Sequence, residues 1–454
     1  MALCQIDLDL PPRSELVAAT LAPLAGAFWL CSAGPSACSY LGAEPLEWVD
    51  QWDPEPGLVA GQYDEPGGHF PRWVGLLPYE ACRDQERGYS SDARPRSLFG
   101  RPRWYRYGAV ARVDQRVQVV GDHAPAVADL ARRLVRAHRQ PGKVVLRPLD
   151  DQEDAQVHEH RIRRALGEIA AGNLYQVNLA RRFGLEVRGR ALDLSVALGR
   201  KAQAPFGFAL QTEDAIGIVG CSPELCLSLS SRGQLLTRPI KGTRPRGRNA
   251  AEDAALIQEL RRDPKERAEL SMVIDLERND LGRVARTGRV RVRSRATVET
   301  YPTLHHNVAT VEAELRPEVS REELIRIFLP SGSVTGAPKR AAMELIASLE
   351  ASRRGLYTGA YGYLSHDGSL RLAMAIRTVL AEGDGRGSYF AGGGIVADSN
   401  PASEVEETLW KSSQVLIEES RSGDWAELVQ EATGPNVENW AIFPHRGTPG
   451  DEGR

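Results

Sequence analysis

The chain has 454 residues, 42% hydrophobic and 26% charged, enough for a sizeable core in one large domain or two or three smaller ones. A formal net charge of −3 leaves no positive field for nucleic acid or an anionic membrane, because abundant arginine is balanced by Asp and Glu. No apolar run approaches membrane-spanning length, MALCQIDLDLPP is not a basic-then-apolar leader, and the six cysteines match neither a zinc spacing nor a dense disulfide framework, so a reduced cytoplasmic protein is expected.

Residues 1–145 hold short β-like runs such as RWVGLLPYE and YRYGAVARV between Pro/Gly/Asp turns, and one helix over 124–139. Tryptophans at 29, 48, 52, 73 and 104 read as core or edge packing. QPGKVVLRPLDDQED then reads as a connector. Apolar residues at helical spacing over 158–171 stop at Gly172-Asn173. YQVNLARRF, 175–183, reads as a strand with Gln176 and Asn178 on one side. Residues 217–229 form a further β stretch holding Ser222-Pro223-Glu224, where a carboxylate beside a proline can be a mere edge residue.

A hairpin follows, with a strand at 225–229, a turn at Ser231-Arg232-Gly233 and a second apolar run. It carries Lys241 to its end in LLTRPIKGTRPRG. Only six of the 57 basic residues are lysine, and an amine can do what a guanidinium cannot: lose its proton and attack carbon. An exposed lysine is neutral roughly once in a few thousand molecules at pH 7. A nucleophilic Lys241 therefore needs desolvation or a nearby cation to lower its pKa by about 3 units. A structural or anion-binding lysine in a tight turn is the other reading, and residue type alone favours it.

Asp263-Pro264 caps and starts a helix over 265–281 that ends at Gly282, with Glu266 and Glu269 on one face. His306 and Tyr357 are single polar aromatics. In Ser331–Lys339 (SGSVTGAPK), small residues and a proline ahead of a helix to Leu349 suggest an anion site; no Ser or Thr follows Lys339, which disfavours a nucleotide P-loop. Arg377, in the strand-like run LRLAMAIRTVL, can bind a carboxylate bidentately or serve a surface ion pair. After Gly392-Gly393-Gly394, Ser399-Asn400-Pro401 starts a helix on which Glu404, Glu407 and Lys411 share one side, while Val405, Leu409 and Leu416 line a stripe for the core. Two Glu pairs without His or Cys companions suit a hard ion such as Mg²⁺. Two solvated helix faces are the alternative, weakened by the adjoining DLERND and triple glycine.

The ordered motifs SPE, PIKGT, KERAELSMVIDLERNDLGRV, SGSVTGAPK, LYTGAYGYL, AIRTVL and GGGIVADSNPASEVEETLWK, over about 156–417, resemble the chorismate-utilising enzymes: anthranilate, aminodeoxychorismate, isochorismate and salicylate synthases. The resemblance implies an α+β fold of two antiparallel sheets packed as a sandwich with helices outside. Residues 1–145 would add strands to that sandwich, 146–420 would bind chorismate and 421–454 would form a tail. It implies Mg²⁺ on Glu269 and Glu407, with Glu266 and Glu404 supporting directly or through water. Tyr357, Arg377, Lys411, the Gly393 backbone and Thr243 are placed at substrate-binding positions. Glu224 is placed as acid/base group beside the leaving C4 hydroxyl, and His306 as the active-site histidine.

Lys241 and YQVNL are similar to the aminodeoxychorismate synthase branch, in which this lysine attacks ring carbon C2 before ammonia displaces at C4. Anthranilate and isochorismate synthases characteristically carry Ala there. Isochorismate and salicylate synthases place a water-activating lysine where Gln176 stands; Lys143 lies too far from SPE to be that residue. No G-x-C-x-G glutaminase elbow is present, so ammonia is expected from a separate glutaminase subunit. Anthranilate synthase component I and a non-catalytic anion-binding protein of the same fold are the alternatives. Two departures stand out: Cys221 precedes SPE where a small residue is usual, and Ser331 occupies a common Gly position.

Overall fold

The computed structural model describes residues 3–32, 38–57, 69–83, 99–136, 139–202 and 204–417; the expected tail lies outside them. Short β-rich runs separated by Gly, Pro and Asp build two sheets, of twelve and ten strands, antiparallel in every pairing among the described residues. Strands from the first 121 residues enter both sheets: Phe28–Cys31 pairs with Phe206–Gln211 in the larger, and Pro71–Leu77 with Ala360–Ser365 in the smaller.

The sheets pack face to face through Phe28, Tyr40, Val74, Leu76, Tyr105, Phe208 and Tyr361, with Phe208 stacked on Tyr361 at 4.5 Å. Helices Ser14–Leu21, Ala124–Arg136 and Ala191–Ala202 cover the outer face of the larger sheet, and Pro264–Gly282 and Arg321–Phe328 that of the smaller. Among the described residues no helix is long and apolar enough to cross a membrane. Trp29, Trp52, Trp73 and Trp104 are buried, while Trp48 lies at the surface under the Arg103 guanidinium.

Two runs read as continuous β structure each divide between the sheets. Gly217–Ser222 lies in the larger sheet and Leu225–Leu229 in the smaller, because Pro223 between them has no N–H for a ladder. LRLAMAIRTVL likewise splits into Leu370–Met374 and Thr378–Ala381, with Arg377 at φ +50° in the link. The crossings run side by side: Cys221 N–H donates to the Arg377 carbonyl and Met374 N–H to that of Glu224, both at 3.0 Å. The connector after residue 140 contains a strand, Val145–Pro148, laid against Gln176–Arg188.

Candidate active site at the seam between the sheets

Each sheet brings one Glu-bearing helix to the seam. Asp263 caps Pro264–Gly282 by accepting from Lys265 N–H and Glu266 N–H, and Asn400 caps Pro401–Ser413 through Ser403 N–H. The first helix packs on Ile240–Pro245 and Leu304–Glu314 of the smaller sheet, the second on Arg386–Ile395 of the larger. Their carboxylates face one another with Lys265 between them, its Nζ 3.9 Å from Glu269 and 3.7 Å from Glu404. Sequence spacing had not singled out Lys265. On the second helix Leu409 is 45% exposed rather than core-facing; only Val405 and, beyond the helix end, Leu416 pack inward.

Lys241 does not end the hairpin. It sits two residues past Pro239 in Ile240–Pro245, where the pairing with Leu304–Glu314 shifts register between Ile240 and Thr243. The bulge passes through Gly242 at φ +87°, a conformation that suits glycine, and such a shift re-aims a side chain. Lys241 Nζ ends 4.0 Å from Glu269 Oε2. It also approaches Gly394, where a methyl group would sit 3.4 Å from Nζ and 2.8 Å from Gln176 Nε2. Gln176 is fully buried and neither end of its amide has a hydrogen-bond partner. A methyl group at Gly393 would stand 2.8 Å from Glu404 Oε2, so the triple glycine keeps the strand close to the carboxylates.

The two Glu pairs differ in charge balance. Burial and the neighbouring Glu269 raise the Glu266 pKa against Arg244 and Lys241; burial also raises Glu404, against the hydroxyl that Ser399 donates at 2.9 Å. Partial burial pushes Glu407 up, but the Lys411 ammonium 2.6 Å away outweighs it and the net shift is downward. Lys411 also donates to the Gly392 carbonyl at 2.8 Å, so its ammonium is engaged on two sides. Among the described residues no three carboxylate, imidazole or thiolate groups are already gathered at ligand spacing. The donors are nonetheless all hard oxygens, and Glu266 and Glu404 are raised in part by neighbouring carboxylates, a set that suits a divalent cation such as Mg²⁺.

The sheet crossings bring the remaining groups. Burial lifts Glu224 to about 7, opposed by the Ser333 hydroxyl at 3.0 Å and by Lys241. Arg377 is pulled down by burial and has no carboxylate partner among the described residues. His306 pairs across the strands with Thr243, whose Oγ1 lies 2.9 Å from Nδ1; burial and then Arg377 bring it to about 3, leaving the imidazole neutral at physiological pH. Tyr357 is buried, stacked on Phe390 at 5.4 Å, with its hydroxyl pKa pushed up by burial.

Ser331–Lys339 is not laid out as an open anion cradle. The small residues are buried, Ser331 and Ser333 turn their hydroxyls to carboxylates, and Gly336-Ala337 pairs with Gln176-Val177. Pro338 precedes the helix Lys339–Leu349 as its cap residue, and Lys339 pairs with Asp280 at 2.6 Å. Behind the site, Arg354 and Glu350 form a buried pair at 2.6 Å that residue type alone did not reveal. Arg354 donates to the carbonyls of Asn178 and Val334 and to Thr358 Oγ1, while Glu350 accepts from Ala180 N–H.

A family model described as chorismate binding enzyme matches residues 42–416. Aminodeoxychorismate synthase component 1 of Salmonella typhimurium is 36% identical over 376 residues, 82% of this chain and 80% of that protein. Anthranilate synthase component 1 of Streptomyces coelicolor is 43% identical over 256 residues, 56% of this chain and 50% of that protein. The crystal structure of anthranilate synthase component I from Streptococcus pneumoniae superposes with a TM-score of 0.68 at 26% identity, covering 91% of this chain and 92% of that one. The menaquinone-specific isochorismate synthase of Escherichia coli, at 17% identity and a TM-score of 0.72 over 91% of this chain and 94% of that one, shares the fold.

Proposed function

The chain belongs to the chorismate-binding enzyme family, and from that membership we propose that it is component I of an aminodeoxychorismate synthase, aminating chorismate to 4-amino-4-deoxychorismate for 4-aminobenzoate and folate formation. One observation carries the reading: the bulge at Gly242 aims the Lys241 amine into the seam, beside Gly394 and Gln176 and 4.0 Å from Glu269. A structural lysine has no need of that placement.

In this reading Nζ of Lys241 forms a bond to ring carbon C2, the ring double bonds shift, and the C4–O bond breaks. Glu224, about half protonated at pH 7, gives its proton to the departing hydroxyl, which leaves as water. Ammonia then bonds to C4, and the C2–Nζ bond breaks to return the lysine. Arg377, Tyr357 and the Gly393 backbone hold the substrate carboxylates, Arg377 because its desolvated guanidinium has no carboxylate of its own among the described residues. Lys411 can join them by exchanging Glu407 for substrate. Neutral His306, fixed by Thr243, offers hydrogen bonds without adding charge.

Glu269 and Glu407, with Glu266 and Glu404 directly or through water, would hold Mg²⁺. When bound, the ion would hold the ring carboxylate and help the C4 hydroxyl leave.

Ammonia would come from a separate glutaminase subunit. Cys221, in GCSP, lacks the second glycine of a glutaminase elbow, and burial pushes its thiol up to about 12, far from a nucleophile's range. Chorismate, Mg²⁺ and an ammonium salt at alkaline pH should give 4-amino-4-deoxychorismate, identified by mass and ultraviolet spectrum. Glutamine should replace ammonia only when the second subunit is added, and glutamine-dependent turnover by this chain alone would remove that partner from the account. The Streptomyces coelicolor relative favours a second reading, anthranilate synthase component I. A 2-aminated product would establish it.

A further inference from the structure

Glu277, in the DLERND run, takes no part in the chemistry above, yet it is 1% exposed at one end of a polar chain inside an apolar core. Its Oε1 lies 2.7 Å from Ser331 Oγ, which lies 3.0 Å from Ser333 Oγ, which in turn lies 3.0 Å from Glu224 Oε1. All four residues are at least 94% buried. Thr237 Oγ1 donates to the other Glu277 oxygen at 3.2 Å, which fixes the carboxyl's orientation.

A proton count shows what the chain can hold. Three oxygen–oxygen contacts need three protons, and the two serines supply two. With both carboxyls ionised, each serine points outward to its own carboxylate and the Ser331–Ser333 contact has no proton. With both protonated, one serine proton loses its acceptor within the chain. One carboxyl proton between the two ends makes every link a hydrogen bond, all running in one direction, and moving that proton to the other end reverses them all.

We propose that Glu277, Ser331, Ser333 and Glu224 form a buried proton wire holding one shared proton, through which Glu277 supplies Glu224 with the proton that Glu224 gives to the leaving hydroxyl. The proposal rests on the reading of Glu224 as the acid for C4–O cleavage. With the shared proton on Glu277, the Ser333 proton moves to Glu224, the Ser331 proton to Ser333 and the Glu277 proton to Ser331, one O–H bond forming as each breaks, and Glu277 is left a carboxylate. Glu224 then loses its new O–H bond to the leaving oxygen, which departs as water. Exchange of hydroxyl for ammonia releases one water and no net proton. The proton shed by the incoming nitrogen therefore refills the wire by the reverse path. Glu277 is thus a positioning residue, acting on substrate only through Glu224.

The charge environment is compatible with this. Burial and then Asp280 lift Glu277 to about 8, against Ser331 and Lys339, with Glu224 adding to the rise. The groups facing the wire are Asp280 on the same helix, Lys339, Cys226 on the strand after Glu224, and Lys241 on the substrate side. Two carboxyls at this separation release their protons as a pair, in two steps set apart by their mutual repulsion.

Glu277→Gln tests the wire with little change of shape. With its carbonyl oxygen kept on the Thr237 hydroxyl, the amide presents its NH2 to Ser331, so it polarises both serines toward Glu224, holds Glu224 as a carboxylate and cannot pass a proton. The kcat for chorismate consumption should fall about 100-fold while the chorismate KM stays within about twofold. The alkaline limb of the pH profile should move to lower pH by about one unit. Ser331→Ala, which breaks the wire but keeps both carboxyls, should give the same loss of kcat. Infrared spectra of the substrate-free protein give a readout independent of the reaction: a protonated-carboxyl band at pH 7 in the wild type, absent in Glu277→Gln. An unchanged band overturns the wire whatever the enzyme makes. A loss of kcat uniform across pH, or one accompanied by a matching rise in KM, assigns Glu277 a structural role and also overturns it. If the product proves to be other than 4-amino-4-deoxychorismate, the infrared result still decides the wire separately from the functional reading.

Discussion

A glutamate in water is almost wholly ionised at pH 7, whereas burial lifts Glu224 to about 7 and Glu277 to about 8. A proton donor works in its protonated form. Turnover measured at constant free ammonia should therefore hold level on the acid side and fall as pH rises through about 7 to 8; a profile flat to pH 9 would exclude Glu224 as the acid. The same carboxyls affect stability. Their folded-state pKa values lie above the unfolded value of 4.5, so the unfolded chain gives up these protons first and stability falls with rising pH until about 8. His306 and His158, lowered by burial to about 3 and about 4, act in the opposite sense, but only below their ordinary value of 6.5. Urea midpoints should accordingly decline between pH 6.5 and 8.5, and a midpoint that rises over that interval would contradict the assigned shifts.

At the scale of elements, the sequence was informative where chemistry is local. Asp263-Pro264 and Asn400-Pro401 announce the two helices, and the i,i+3 spacing of Glu266/Glu269 and Glu404/Glu407 places each pair on one face. It was silent on strand partners, because period-two alternation does not say which sheet a strand joins. That is why 217–229 and LRLAMAIRTVL looked continuous while each crosses the seam. Nor could residue type tell that the Ser331 and Ser333 hydroxyls are spent on buried carboxylates, or that Lys265 bridges two of the glutamates. The bulge at Gly242 was equally hidden, although it aims Lys241. A Cβ there would lie 2.7 Å from Leu260 Cδ1 and 3.0 Å from Glu266 Cδ, at φ +87°. Gly242→Ala should cost about 1–2 kcal/mol in urea unfolding. Its kcat should drop by more than a change of stability alone would explain, since Lys241 and Glu266 both shift; normal kcat in this variant would show that the bulge does not set the lysine.

For the whole molecule, strand crossings and packed side chains join the two sheets, and the buried Arg354 is heavily hydrogen-bonded beside that junction. It ties the strand Gln176–Arg188 of the larger sheet to the Ser331–Val334 segment and to Thr358, with Glu350 as its counter-charge. Glu350→Ala leaves a buried guanidinium unpaired and should destabilise the fold by about 3–5 kcal/mol in urea unfolding; a loss below about 1 kcal/mol would show that water or another carboxylate replaces the partner. The covalent route to 4-amination turns on the Lys241 amine. The most direct measurement is peptide mass spectrometry after mixing the wild-type chain with chorismate and Mg²⁺ in the absence of ammonia. We expect the peptide holding Lys241 to gain the mass of one chorismate less one water, and ammonia to discharge it as 4-amino-4-deoxychorismate. Lys241→Ala should fold and bind chorismate, carry no adduct and lose more than about 100-fold in 4-amination. An unmodified Lys241 peptide, together with full 4-aminating activity in Lys241→Ala, would contradict the covalent route and leave only the family assignment standing.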